Sequence, residues 1–386
     1  MSHTNTYMGI DLLAIHQALT VFFVAFIVTY LMVPVSKKIA VVIGAIDYPS
    51  NRRLNTEPVP RCGGIALYVG LVAACLSVII AERFFGWEIV DLYVLKDINF
   101  ILLFVGITIM FAVGLVDDII QMSAWPKLIG QIVAAVVVAL AGVTIGTVRS
   151  LTDGDYVDLG WMNYPLTVLY LVVFVNITNL IDGLDGLAAG IIAIVSASLL
   201  YLVIMRGSAT LALACIALIA VCLAFLRYNF SPASIFMGDS GALLLGLLIG
   251  IVSITGVVRT QSFVVMLVPL VIAGIPLLDT VSAVIRRSRG HKPVGQADMG
   301  HIHHRFLRAG LGQRRAVAVL WVCSAVLAFV GCMLGSVSGP IRWAIFFGLA
   351  VVMFFIIWKF GLFKPVLRHY YDNKGKHGPR TPHERR

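Results

Sequence analysis

Charge is scarce in this chain. Only 12% of its 386 residues are Asp, Glu, Lys or Arg, and 19 acids face 29 bases. With 60% hydrophobic residues and a mean hydropathy of +0.96, that scarcity excludes a soluble globular domain. Cysteine is also sparse. The six cysteines, at 62, 75, 215, 222, 323 and 332, lie in or beside apolar runs and form no Cys-x-x-Cys pair. A disulfide framework and a thiolate metal site are therefore excluded, and free, buried thiols are expected. The first apolar run has no basic stretch before it and no small-residue cleavage site after it, so a true span is expected rather than a removed signal peptide. No fixed-period repeat or low-complexity segment stands out.

What the chain has is apolar length. A bilayer span needs about 20 apolar residues. Eleven such segments are predicted, at 12–35, 63–81, 98–116, 128–146, 163–180, 187–205, 209–226, 241–257, 263–285, 316–336 and 341–361. The fold class is therefore all-α and polytopic. A single membrane domain is expected over 1–361, with a long loop at 286–315 and a basic tail at 362–386. Basic residues set the orientation. One side of this topology holds 23 Lys and Arg, the other only Arg83, Lys96, Arg149, Arg206, Arg259 and Arg342. The N-terminus is expected outside and the C-terminus in the cytoplasm. The net charge of +10 is mostly this bias. Nucleic-acid binding fits poorly, because the bases flank spans and lack interleaved aromatics.

The most informative stretch is 176–186, Asn-Ile-Thr-Asn-Leu-Ile-Asp-Gly-Leu-Asp-Gly, where one span gives way to the next. Charged groups at such places are costly and are retained mainly for chemistry or transport. Asn176, Asn179, Asp182 and Asp185 recur every third residue. On an ideal helix nine residues turn through about 900°, so Asn176 and Asp185 would face opposite ways. They share a face only if the helix tightens or breaks, and Gly183 and Gly186 permit a break. A helix end opening into a polar pocket is predicted near Gly183.

Other polar groups gather on the same side. Asp117 and Asp118 close the third span. Paired carboxylates repel unless a cation or proton sits between them, although an aspartate also caps a helix well. Lys127 opens the fourth span, as a topology signal or a phosphate ligand. Asp239 lies between Gly238 and Gly241 at the start of the eighth span. Gly63 and Gly64, after Arg61, let the backbone come close to something at the start of the second. Gly274 and Pro276 are expected to kink the ninth span into a wall for a long apolar substrate, with Asp279 after them. His301, His303, His304 and Arg305 lie in the long loop. No second ligand cluster completes a zinc site there, and an anion site fits the neighbours better. Asp153, Asp155 and Asp158, on the other side, lack the rest of a calcium loop. Oxygen ligands with Lys, Arg and His suit magnesium and a phosphate-containing substrate, and a site at the bilayer surface implies a lipid reactant.

Five motifs in order carry a resemblance: Val-Asp-Asp at 116–118, Asn-x-x-Asn-x-x-Asp-Gly-Leu-Asp-Gly at 176–186, Phe-Met-Gly-Asp-Ser-Gly at 236–241, Pro-Leu-Leu-Asp at 276–279 and His-Ile-His-His at 301–304. The chain resembles the polyprenyl-phosphate N-acetylhexosamine-1-phosphate transferases, glycosyltransferase family 4. The histidine motif is most similar to that of the bacterial GlcNAc-1-phosphate branch. The resemblance implies transfer of GlcNAc-1-phosphate from UDP-GlcNAc to undecaprenyl phosphate, with release of UMP, as the first membrane step of an envelope polysaccharide. It also implies Asn179 and Asp239 on Mg²⁺ (or Mn²⁺), Asp117 with Asp118 at the lipid phosphate, and Asp182 by the sugar-phosphate. Asp185 and Phe236 would face the uracil, while Lys127, His301, His303 and Arg305 would contact phosphates or sugar. A homodimer in the bacterial inner membrane, with its site on the cytoplasmic face, completes what it implies. Alternatives are another UDP-N-acetylhexosamine or UDP-MurNAc-pentapeptide as donor and, from a different class, an ion-coupled transporter, whose acids would lie nearer mid-membrane in repeated halves.

Overall fold

The computed structural model describes residues 12–49, 57–87, 97–149, 156–258 and 312–336, with isolated positions between 344 and 355. Nine α-helices run through them: α1 (Leu12–Val42), α2 (Gly63–Phe85), α3 (Phe100–Ile120), α4 (Ala124–Leu140), α5 (Asn163–Ile181), α6 (Leu187–Ile204), α7 (Ala209–Asn229), α8 (Gly238–Ser253) and α9 (Gln313–Ser336). Eight are long and apolar enough to cross a membrane; α4, at 17 residues, is shorter. The chain is a multi-pass, all-α membrane protein. Nine of the eleven predicted spans coincide with these helices. Of the remaining two, 263–285 lies outside the described residues and 341–361 is described only at isolated positions; the expected kink at Gly274 and Pro276, Asp279 and the histidine loop also lie outside them.

Two short antiparallel hairpins interrupt the helices. β1 (Ile46–Asp47) pairs with β2 (Val59–Pro60), and β3 (Thr147–Arg149) with β4 (Tyr156–Asp158). The first hairpin leads into α2, and its strand continues as a backbone ladder to the segment before α8. Phe236 N donates to Pro60 O at 2.8 Å, and Gly63 N and Gly64 N donate to Phe236 O and Met237 O, both at 3.0 Å.

α8 is the axis of the bundle. It packs against α2, α3, α5, α6 and α7 and is buried along nearly its whole length. A helix apolar on every side suits that position. Small residues set its close approach to α5: a Cβ on Gly246 would lie 2.8 Å from Val175 Cα, and one on Gly250 2.9 Å from a Leu171 methyl. In lipid, such backbone-to-backbone packing replaces the hydrophobic drive that water supplies elsewhere.

The helix ends follow local chemistry. Asn99 Oδ1 caps α3 by accepting from Leu102 N at 3.0 Å. At the other end Gln121 takes the left-handed conformation (φ 51°) and stops the helix. α5 ends at Ile181 and α6 begins at Leu187, with Gly186 left-handed at φ 78°. The break predicted near Gly183 is present. Four cysteines are buried as expected, but Cys75 and Cys323 are exposed, Cys75 at the edge of an apolar cavity between the helices.

Candidate active site

The C-terminal ends of α3, α5 and α7 and the N-terminal ends of α2, α4, α6 and α8 meet at one end of the bundle. Lys127 is the hub there. It sits one turn into α4, after the three-residue connection from α3, and so looks back at the end of that helix. Its Nζ lies 2.9 Å from Asp117 Oδ2, 2.8 Å from Asp239 Oδ2 and 3.3 Å from Asn179 Oδ1. Asn179 turns its amide nitrogen the other way and donates to Asp239 Oδ1. Asp117 is held from below by its own helix end. The left-handed turn at Gln121 brings Met122 N to within 2.6 Å of Asp117 Oδ1.

Asp118 is directed elsewhere. Its Oδ1 accepts from Asp239 N at 2.8 Å and from Arg61 Nη2 at 3.3 Å. Its Oδ2 accepts from Ser240 N at 3.0 Å and Ser240 Oγ at 2.5 Å. Asp118 is thus the N-terminal cap of α8, supplied by another helix and 1% exposed. Both of its oxygens are occupied by that cap. The aspartate pair therefore divides: Asp117 faces the lysine, and Asp118 aims Asp239.

This closeness depends on glycine at two places. A Cβ on Gly238, itself left-handed at φ 71°, would lie 2.5 Å from Asp118 Oδ2 and 2.6 Å from Arg61 O. One on Gly114 would lie 2.5 Å from Asp239 O. Arg61 completes the electrostatics, with Nη2 3.7 Å from Asp239 Oδ2.

The turn at 182–186 forms the adjoining wall. Asp185 Oδ2 accepts from Ala233 N at 3.0 Å. Asn229, buried at the end of α7, accepts from Gly186 N at 3.0 Å and donates to Ile235 O at 2.9 Å. These bonds tie the turn to the segment bearing Phe236, which is partly buried. Burial pushes the Asp182 carboxyl up to about 7, and the Asp239 and Asp118 carboxylates add to this against the pull of Arg61. Asn176 lies one turn deeper, with Gln131 rather than in the pocket.

Of the residues singled out in the sequence, the structure thus brings together Asp117, Asp118, Lys127, Asn179 and Asp239, with Asp182, Asp185 and Phe236 at the margin. His301, His303 and Arg305 lie outside the described residues. Sequence reasoning left Arg61 as one of several loop arginines and did not single out Ser240, Asn229 or Gln131. The usable signal for Arg61 was its place beside Gly63 and Gly64, whose close approach is to the α8 start.

The donor set is all oxygen: two carboxylates and an amide around one position. That suits Mg²⁺, which binds through one or two carboxylates and completes its shell with substrate phosphates and water. Among the described residues no three His, Cys, Asp or Glu side chains are placed to hold a metal ion by themselves, so such an ion would need the substrate's oxygens.

Carboxylates balanced by partly buried cations at one end of a bundle of apolar helices define an integral membrane protein with a charged site at one end of its spans. The comparisons narrow the class. The sequence profile of glycosyl transferase family 4 matches residues 100–257, which include Asp117, Asp118, Lys127, Asn179, Asp182, Asp185, Gly238 and Asp239. A probable undecaprenyl-phosphate N-acetylglucosaminyl 1-phosphate transferase of Bacillus subtilis is 36% identical over 357 residues, covering 90% of this chain and 95% of its own. A decaprenyl-phosphate N-acetylglucosaminephosphotransferase of Mycolicibacterium smegmatis is 32% identical and covers 86% of each chain. A phospho-N-acetylmuramoyl-pentapeptide-transferase of Moorella thermoacetica is 35% identical over 238 residues, 58% of this chain and 72% of its own. The chain belongs to glycosyl transferase family 4.

Proposed function

We propose that this protein transfers GlcNAc-1-phosphate from UDP-GlcNAc to undecaprenyl phosphate, giving undecaprenyl-diphospho-GlcNAc and UMP. The observation that carries the reading is the convergence of Lys127, Asn179, Asp117 and Asp118 on Asp239 at the start of α8. An oxygen of the lipid phosphate forms a bond to the β-phosphorus of the donor, and the bond from that phosphorus to the bridging oxygen breaks. The electron pair leaves with UMP. Such a reaction needs in-line placement and charge neutralisation more than covalent help from the protein.

Asn179 and Asp239 would hold Mg²⁺ (or Mn²⁺), which when bound neutralises charge on the diphosphate. Lys127 turns from its carboxylate partners to the phosphate oxygens as charge moves to the leaving group. Asp117 orients the lipid phosphate, which is already largely ionised near neutral pH. Asp118 holds the α8 amides and so fixes where Asp239 points. Asp182 lines the sugar-phosphate side, and Asp185 and Phe236 the uracil side. The loop bearing His301, His303 and Arg305 supplies further phosphate or sugar contacts. The basic bias of the loops supports a cytoplasmic position for this end of the bundle, with the N-terminus outside, within eleven spans of a bacterial inner membrane. A homodimer and a role at the first membrane step of an envelope polysaccharide belong to the same reading.

The relative acting on a phospho-MurNAc-pentapeptide motivates a donor panel. Purified protein with Mg²⁺, undecaprenyl phosphate and UDP-GlcNAc, UDP-GalNAc or UDP-MurNAc-pentapeptide is assayed for UMP. UMP should appear with UDP-GlcNAc at the highest kcat/KM. Preference for another donor reassigns the sugar, and full activity in Asp239→Ala sinks the site.

A further inference from the structure

One contact lies behind the site rather than in it. Asn176 Nδ2 donates to Gln131 Oε1 at 2.7 Å and to Val172 O at 2.8 Å. Both hydrogens of that amide are thereby used, so its orientation is determined. Gln131 is 1% exposed. The pair joins α4 to α5, and on the Gln131 side a lost partner would leave a buried amide unsatisfied.

The register of this pair matters. Gln131 lies four residues after Lys127, on the same face of α4, and Asn176 three residues before Asn179, on the same face of α5. The two helices are therefore joined by two rungs, one helical turn apart. The upper rung is Lys127 to Asn179 at 3.3 Å, and the lower is Gln131 to Asn176. The upper rung must exchange partners during turnover, because its lysine and amide serve the diphosphate. The lower rung has no reactant to meet. It opposes rotation of α4 against α5 when the upper rung opens, since a turn of either helix would strand two amides in an apolar setting.

We propose that Gln131 and Asn176 are positioning residues for the transfer step: their amide pair holds Lys127 and Asn179 in register while both engage the donor diphosphate. The inference rests on the transferase reading of the site. A long flexible ammonium otherwise loses its aim, and removing an outer partner of this kind typically costs roughly 10–100-fold in activity or metal affinity.

The test measures kcat and KM for UDP-GlcNAc, per folded protein, in wild type and Gln131→Met. Methionine keeps the length and removes the amide. kcat should fall roughly 10–100-fold while KM stays nearly constant, since the interaction is needed most in the transition state. Exchanging the two residues, Gln131→Asn with Asn176→Gln, restores an amide pair and should recover most of the loss. On a Lys127→Ala background, Gln131→Met should cost nothing further, because its effect passes through the lysine. Wild-type kcat in Gln131→Met with only a lowered melting temperature overturns the proposal, as does an additive cycle with Lys127→Ala. If Gln131→Met does not fold, Gln131→Asn, which withdraws the oxygen by one methylene, is read by the same criteria. Wild-type protein that releases no UMP from any donor sinks the transferase reading alone. The rung is then judged from melting temperatures of wild type, Gln131→Met, Lys127→Ala and their double variant: non-additive losses support it and additive losses overturn it.

Discussion

The two ends of α3 and α8 make an instructive contrast. At one end, Gly114, Asp117 and Asp118 press against Gly238–Gly241 so closely that a methyl group at either of two glycines would strike backbone or carboxylate. At the other end the same helices part. Leu103 and Ile107 of α3 and Leu248 and Ile251 of α8 line an apolar cavity of about 290 Å³, together with α1, α2 and α7. Polar groups account for the difference. Carboxylates, amides and cations bond only within narrow limits of distance and angle, so the end that carries them must be built to fit. Dispersion contacts are individually weak and have no direction, and lipid hydrocarbon can fill what the helices leave.

The contrast can be tested from its strongest point downward. Asp239→Ala or Lys127→Ala removes a charge from the hub and should lower kcat about 10²–10³-fold, measured as UMP release. Gly238→Ala combines a left-handed backbone with a collision at Asp118 and should cost about 2–4 kcal/mol, read as a fall in melting temperature in detergent. Asp182→Asn should act through pH. The native carboxyl titrates at about 7 and an unfolded one near 3.8, so the folded state binds this proton more tightly. The wild type is therefore penalised increasingly as pH rises from 4 to 7, by linkage of protonation to folding. Without metal, the variant should melt several degrees higher at pH 8, and the gain should shrink toward pH 4. Ala214→Leu, which fills part of the cavity, should change stability by no more than about 1 kcal/mol and leave kcat unaltered. A tenfold fall in kcat from that substitution would mean that the apolar end is coupled to the site, and the contrast would fail.

Much of the site was legible because its signals are local. Period-three polar residues followed by two glycines foretold the break between α5 and α6, and the bonds of Asp185 and Asn229 now account for how that break is held. Apolar length foretold nine of the helices within a residue or a few turns. Three things could not be read locally. Asp118 looks like one half of a catalytic pair until Ser240 Oγ is seen beside it, 122 positions away in sequence. Arg61 stands in the same loop as Arg52 and Arg53; the neighbouring Gly63 and Gly64 hint at a close approach, but what they approach is shown only by the ladder from Pro60 to Phe236. Gln131 is one polar residue in an apolar run, and its meaning depends on the register of α5 against α4. In each case the missing information was a partner in another helix.

The cap on α8 also bears on how the protein is made. Asp118 enters the membrane region of the nascent chain 121 residues before the Asp239 amide it will accept. Until α8 is inserted, this carboxylate lacks the two amides and the hydroxyl that fill its oxygens and has only Arg61 as a partner, so it is expected to stay hydrated at the interface, because a buried charge with unmet hydrogen bonds is costly. α3 can therefore reach its final depth only once α8 arrives. The last movement of assembly draws a solvated aspartate onto a helix start and aims Asp239 in the same event. A chain stopped before α8 should hold α3 shallow, with Asp118 open to water-borne reagents, and would keep Asp117, Lys127 and Asn179 but lack the Asp239 on which they converge.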